Sequence, residues 1–99
     1  MRPRFRRTQN GIWHFLADCQ VIERLHYHLE IRWNVFWNWR WSVIERNDIP
    51  GHSRRRVDGV SKSKWPRVAV SQAFEAVYIM VAEHSANAAM SIRREWIER

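Results

Sequence analysis

The chain has 99 residues, of which 45% are hydrophobic and 13% aromatic, and its formal net charge is +7 at pH 7. This length fits one domain with a small core. The chain contains one cysteine, Cys19, which excludes an internal disulfide, and no apolar run approaches the length of a membrane span. The N-terminus also lacks the apolar segment of a secretory signal, so we expect a cytoplasmic protein.

The positive charge is concentrated in two segments. Residues 1–17 carry four Arg and no acid, and residues 53–67 carry four Arg and two Lys against Asp58. The guanidinium group of Arg is a planar fork of donors that fits phosphate and carboxylate. This concentration indicates a polyanion or an acidic protein surface as partner, while a solvated charge run is the plainer alternative.

The N-terminal part is predicted to be a basic arm followed by a helix. Residues 1–10 offer few groups that can pack, and this is typical of a flexible segment. From Ile12 to about Arg24 the apolar residues recur at helical spacing, which predicts a short amphipathic helix. Those residues are Ile12, Phe15, Leu16, Cys19 and Ile22.

The stretch from Leu25 to Ile44 has apolar or aromatic residues at every odd position. Successive side chains of a strand point to opposite faces, so this alternation predicts a β structure with one apolar face. We predict two strands, Tyr27–Trp33 and Trp37–Arg46. The apolar residues stay at odd-numbered positions in both strands. This indicates a bulge or an odd-numbered loop near Asn34–Phe36, or one long bent strand that includes the whole stretch.

Turn-forming residues from Asn47 to Ser53 separate this stretch from the segment Arg54–Val60. We predict that Arg54–Val60 returns as the outer strand of a hairpin. Charged side chains on such an edge strand oppose unwanted pairing, which gives the Arg triplet a purely structural explanation.

A helix is predicted from Lys64 to about Glu83. Ser63 is a good N-cap candidate, because Pro66 is tolerated in a first helical turn, and Ser71 is the alternative N-cap, with Pro66 then outside the helix. The segment from His84 to Arg99 is also compatible with helix. One unbroken helix would be too long for this domain, so we expect either a break near residues 84–87 or a projecting helix that dimerises.

The predicted fold is therefore α+β, in the order α-β-β-β-α. It contains a short N-terminal helix, a Trp-rich antiparallel sheet of about three strands and a long C-terminal helix. The seven Trp are expected mainly in its core, with some of them exposed as a stacking or partner surface. Residues 11–99 form a single domain, in which residues 84–99 are either integral or a separate, projecting helix.

The sequence offers little for catalysis. Cys19 falls on an apolar helix face without the surroundings of a nucleophile. His26 and His28 share one strand face, but two ligands are too few for a metal site. The chain also lacks a glycine-rich phosphate loop. We expect no enzyme activity, and hence no catalytic residue, metal or cofactor.

The candidate site lies around the hairpin and the start of the last helix. A helix N-terminus attracts phosphate through its free N–H groups and its dipole, and Lys62, Lys64 and Arg67 add charge there. The predicted contact residues for nucleic acid or a protein partner are Arg54, Arg55, Arg56, Lys62, Lys64 and Arg67, with Arg4, Arg6 and Arg7 from the arm.

The order of elements and the spacing Gly-x-x-x-Ser-Lys at Gly59, Ser63 and Lys64 resemble a double-stranded-RNA-binding domain. The resemblance implies that basic residues at the N-terminus of the last helix lie over phosphates. The chain departs from the family pattern at three points, one of which is that the family's Ala pair further on is missing. Trp65 replaces the family's second Lys, and Arg67 replaces an expected Ala.

Two functions follow as expectations. The first is a non-enzymatic nucleic-acid-binding module, for RNA or DNA, that holds phosphates with the Arg/Lys cluster. The alternative is a protein-binding inhibitor of a nucleic-acid-handling complex, of the phage anti-defence or anti-CRISPR type, that docks its Arg-rich surface on an acidic protein site with exposed Trp as anchors. Either function is compatible with a homodimer formed through the C-terminal helix.

Overall fold

A computed structural model describes residues 2–9, 13–34, 38–48 and 54–98. The elements in chain order are β1 (Arg6–Arg7), β2 (His14–Ile22), β3 (Leu25–Asn34), β4 (Asn38–Asn47), β5 (Arg55–Ser61), α1 (Pro66–Ala82), α2 (Ala86–Ile92) and a π-helical turn at Arg93–Ile97. The strands form one antiparallel sheet in the order β1-β2-β3-β4-β5. Within the described ranges, no helix is long and apolar enough to cross a membrane.

The alternation along β3 and β4 gives the sheet two different faces. Asn34 pairs with Asn38, so the three residues 35–37 join the strands and the apolar parity is the same on both sides. The odd-numbered side chains face the helices, and the buried ones are Leu25, Tyr27, Leu29, Ile31, Trp39, Val43 and Glu45. The even-numbered side chains line the opposite face, which we call the bare face.

The helices cover one face of the sheet. Helix α1 crosses β3, β4 and β5 and buries an apolar stripe that includes Ala73, Phe74 and Val77. Helix α2 and the π-helical turn then pack on α1, where the Phe74 and Trp96 rings lie 5.3 Å apart. The small domain therefore builds its core from one sheet face, one long helix and the segment that follows it.

The prediction of an N-terminal helix from Ile12 to Arg24 is wrong. Residues His14–Ile22 form β2, which pairs with β3, and Ile12 lies outside the described residues. This segment also alternates, with Phe15, Ala17 and Cys19 on the helix side of the sheet. The helical and strand patterns overlap here, and pairing with the exposed edge of β3 buries Ala17 fully, as a lone amphipathic helix could not.

The α+β class and the antiparallel sheet are confirmed, but the predicted count of about three strands is wrong. The sheet has five strands, and the helical part divides after Ala82. A turn leads to Ser85, whose hydroxyl accepts a hydrogen bond from the Ala88 N–H and so starts α2 as an N-cap. The break, at residues 83–85, overlaps the region near residues 84–87 where one was expected.

The start of α1 also differs from the prediction. Pro66 is its first residue, and Trp65 occupies the N-cap position without a side-chain cap. Ser63 is therefore not the N-cap, because its hydroxyl accepts a hydrogen bond from the Trp65 N–H one step before the helix. Trp65 is thus held at the helix end as an exposed ring.

The N-terminal segment contributes to the sheet. Arg6 and Arg7 pair with Leu16 and Phe15, and the Phe5 ring lies 6.1 Å from the Phe74 ring on α1. The boundary at residue 10 falls outside the described residues, and the division of the chain into an arm and one domain stays a prediction.

Candidate functional site

The predicted basic cluster is divided by β5. Arg54, Arg55 and Arg56 lie where this strand begins, whereas Lys62 and Lys64 follow its end. Six residue steps of about 3.3 Å put the two groups about 20 Å apart. The structure therefore separates Arg54, Arg55 and Arg56 from Lys62 and Lys64.

Arg55 has a structural role at the C-terminal end of α1. Its guanidinium forms a hydrogen bond with Glu83, which raises the pKa of Arg55, and its Nη2 lies 3.6 Å from Glu45. Glu45 is buried and also accepts a hydrogen bond of 2.7 Å from the Tyr27 hydroxyl, and His84 lies 3.3 Å away. Arg55 thus joins β5 to the sheet and α1, so a change there would alter the fold before it altered binding.

The other predicted Arg residues are dispersed. Arg56 pairs with Asp58 at 2.8 Å on the bare face, and Arg6 lies 3.5 Å from Asp18. Arg4 and Arg54 are exposed at the N-terminal segment and before β5. Arg7 lies on β1, at the opposite edge of the sheet from β5, and Arg67 lies in the first turn of α1.

An aromatic cleft lies at the end of the sheet where α1 begins. It has a volume of about 410 Å³ and is lined by Trp13, Phe15, Trp33, Trp39, Lys64, Trp65 and Pro66. Trp39 is buried in the floor, whereas Trp13 is 54% exposed and Trp65 57% exposed. The volume falls within the range of small-molecule pockets, and most of its lining is aromatic.

The floor of the cleft is fixed by packing and hydrogen bonds. The Trp33 and Trp39 rings meet edge to face with centroids 5.3 Å apart, and the Phe15 ring lies 6.2 Å from Trp39. The Trp39 indole N–H donates a 3.0 Å hydrogen bond to the Lys64 carbonyl, which ties the lead-in of α1 to β4. Lys64 and Trp65 are therefore held beside the floor by a buried residue.

The exposed rings of the cleft each carry a cation. Lys64 Nζ lies 5.6 Å from the Trp65 ring centroid, and Arg7 Cζ lies 5.8 Å from that of Trp13. Lys62 and Arg67, on either side of Lys64 in sequence, are exposed. The cleft thus offers flat apolar surface beneath positive charge, which favours an anionic ligand with a ring and disfavours a cationic one.

The residues considered for catalysis or metal binding have other partners. His28 Nδ1 lies 2.6 Å from Asp18, and His26 Nε2 lies 2.9 Å from Asp48. In the part of the chain that the structure describes, no three His, Cys, Asp or Glu side chains are grouped to hold a metal ion. The absence of enzyme activity stays a prediction.

We expect Cys19 to be a poor nucleophile. Burial, with Asp18 nearby, raises the pKa of its thiol from 9.0 to about 12. Because the thiolate is the reactive form, its fraction at pH 8 falls by about 10³. The folded protein should react with a disulfide reagent about 10³-fold more slowly than the same chain in urea. Equal rates would contradict this placement of the thiol.

No protein-family model, curated protein or solved structure matches the chain. The structure also departs from the double-stranded-RNA-binding order, because a strand stands where that family has its first helix. Gly59 has a different role here, since its missing side chain makes room for the Trp41 ring.

Sequence reasoning missed the cleft as a unit, although it allowed for exposed Trp. Trp33 and Trp39 are equidistant from residue 36, so a symmetric hairpin would have placed them opposite each other. The prediction of a helix from Ile12 to about Arg24 gave no reason to place Trp13 beside Trp33 and Trp39. The strand alternation from Trp13 to Val21 was the signal that could have found it.

Proposed function

We propose that the protein binds single-stranded nucleic acid at the aromatic cleft. Bases stack on Trp13 and Trp65, and the phosphates that join them lie against Lys62, Lys64, Arg67 and Arg7. The observation that carries this proposal is the pair of half-exposed Trp rings, each under its own cation, at the mouth of one cleft. Stacking platforms beside positive charge are the usual means of holding single strands.

The cleft favours single strands over duplexes for a steric reason. The rings that would stack on bases lie beside a floor formed by Phe15, Trp33 and Trp39, and bases inside a duplex are already stacked on each other. A paired base would have to leave its helix to enter, at a cost of a few kcal/mol. The proposal therefore replaces the duplex RNA implied by the family resemblance with unpaired bases.

The test is fluorescence polarisation with labelled single-stranded DNA and RNA of about 20 nucleotides and the matching duplexes. We expect single strands to bind at least tenfold more tightly than duplexes. With about four phosphate contacts, one for each of the cations Lys62, Lys64, Arg67 and Arg7, and a slope of about 0.7 per contact, affinity should fall about 50-fold between about 50 and 200 mM salt. Absence of binding at the lower salt concentration would refute the proposal, and a preference for duplexes would refute the stacking geometry.

The same exposed rings favour one alternative. Trp13 and Trp65 are large aromatic residues of the kind that anchor protein interfaces, and the nearby cations suit an acidic protein surface. In this second proposal the protein inhibits a nucleic-acid-handling complex. It requires a stable stoichiometric complex with a protein and no affinity for free nucleic acid, so the polarisation assay separates the two functions. Homodimerisation also stays a proposal.

A further inference from the structure

The bare face of the sheet carries two arginines directly opposite each other. Arg32 on β3 pairs in register with Arg40 on β4, and both side chains are exposed. Directly opposite positions bring Cβ atoms within about 4.5–5.5 Å, where like charges destabilise a sheet. A cross-strand pair of this kind is a cost that the fold itself does not require.

Neither of the two acids that line the same concavity as these arginines, Glu30 and Asp58, forms an ion pair with Arg32 or Arg40. Glu30 lies 3.2 Å from His14 Nε2, and Asp58 pairs with Arg56 at 2.8 Å. All ten acidic side chains of the chain fall within the described ranges, and there neither Arg32 nor Arg40 takes part in an ion pair. Two guanidinium groups therefore face solvent side by side with their donors available.

The arginines border a concavity. It has a volume of about 360 Å³ on the bare face, and its lining includes Glu30, Arg32, Arg40, Ser42, Arg56 and Asp58. The charged residues of the lining are three arginines and two carboxylates, so its formal net charge is +1. Arg56 is paired with Asp58, and Arg32 and Arg40 are the two arginines of the lining for which the described residues provide no ion-pair partner. A tetrahedral oxyanion offers enough oxygens for two planar guanidinium forks at once.

We propose that Arg32 and Arg40 form a phosphate-binding site on the bare face of the sheet. The site is separate from the aromatic cleft, because Trp33 and Trp39 point from the neighbouring positions to the other face. A phosphate oxygen cluster between the guanidinium groups would relieve their repulsion and satisfy their donors. The phosphate is either part of a nucleic-acid chain or free in solution.

Inorganic pyrophosphate tests the site without relying on the proposed function. Its binding is followed by the ¹⁵N shifts of the Arg Nε–H groups at constant ionic strength. In the Arg32→Gln/Arg40→Gln variant the Kd should rise at least tenfold. The matched control is Arg24→Gln/Arg94→Gln, which removes the same charge from exposed positions in the β2–β3 turn and the C-terminal segment and should change the Kd less than twofold.

Equal pyrophosphate binding by the Arg32→Gln/Arg40→Gln variant and the wild type would overturn the site, as would the lack of any saturable shift.

A single-stranded oligonucleotide then identifies the source of the phosphate. If chain phosphates occupy the site, the salt dependence of log Kd should fall by about 1.4 in the variant, at about 0.7 per lost contact. An unchanged slope with loss of pyrophosphate binding assigns the site to a free phosphate. If no oligonucleotide binds, the proposed function fails while the pyrophosphate result still stands.

Discussion

Replacing Trp13 and Trp65 together by alanine is expected to weaken single-strand binding by about 30-fold or more. Stacking on an aromatic side chain contributes about 1–3 kcal/mol per base, so the loss of two platforms costs at least about 2 kcal/mol. Both rings are more than half exposed, so the fold should tolerate their removal. The measurement is polarisation with the same labelled single strand, at fixed salt and across the salt series.

The salt series distinguishes loss of stacking from loss of charge. The Trp variant should keep the wild-type slope of log Kd against log salt, because it loses no phosphate contact. Lys62→Gln with Lys64→Gln should instead reduce that slope. Ile79→Ala with Met90→Ala is the control for removing exposed apolar surface, since both side chains lie on the helices away from the cleft. Wild-type affinity in the Trp variant would show that bases bind elsewhere.

Gly59→Ala is expected to lower the free energy of unfolding by about 2–4 kcal/mol. An added methyl group would overlap the Trp41 ring and would lie 2.5 Å from its Nε1 atom. The ring cannot easily move, because its Nε1–H donates a 2.9 Å hydrogen bond to Gln72 Oε1 on α1. Overpacking and loss of this bond together give the expected cost. Urea unfolding followed by circular dichroism measures it.

A second variant identifies the cause. Trp41→Phe removes the indole atoms that the new methyl group would meet. In the Trp41→Phe background, Gly59→Ala should therefore lower the free energy of unfolding by much less. The two changes should therefore couple strongly in a double-mutant cycle. Additive losses would mean that Gly59 is needed for a backbone reason and that its contact with Trp41 is incidental.

The predictions from sequence were most accurate where the apolar residues fit one periodicity only. The alternation from Leu25 to Ile44 predicted two strands and the face that they bury, and its unchanged parity left a bulge, an odd-numbered loop or one long bent strand as the possible connection. The helix prediction for residues 12–24 was wrong because their apolar positions satisfy both a helical and an alternating pattern. The choice depended on the free edge of β3, a tertiary partner that local periodicity does not contain.

The site was predicted less well, for a geometric reason. Arg55 and Lys64 are close in sequence, but a strand runs between them, so proximity along the chain became separation in space. Arg55 has two acidic partners from other elements, which no local pattern reveals. Arg32 and Arg40 were not considered, although pairing symmetric about residue 36 places them opposite each other.

The agreement between strand order and chain order has a consequence for folding kinetics. Each strand pairs with its neighbour in sequence, so the sheet grows by adding hairpins and no strand must insert between two others. Hairpins form in about 1–10 μs, and closing a loop of about ten residues takes about 10–100 ns. Short-range pairing of this kind leaves little time in which unpaired edges are open to other chains.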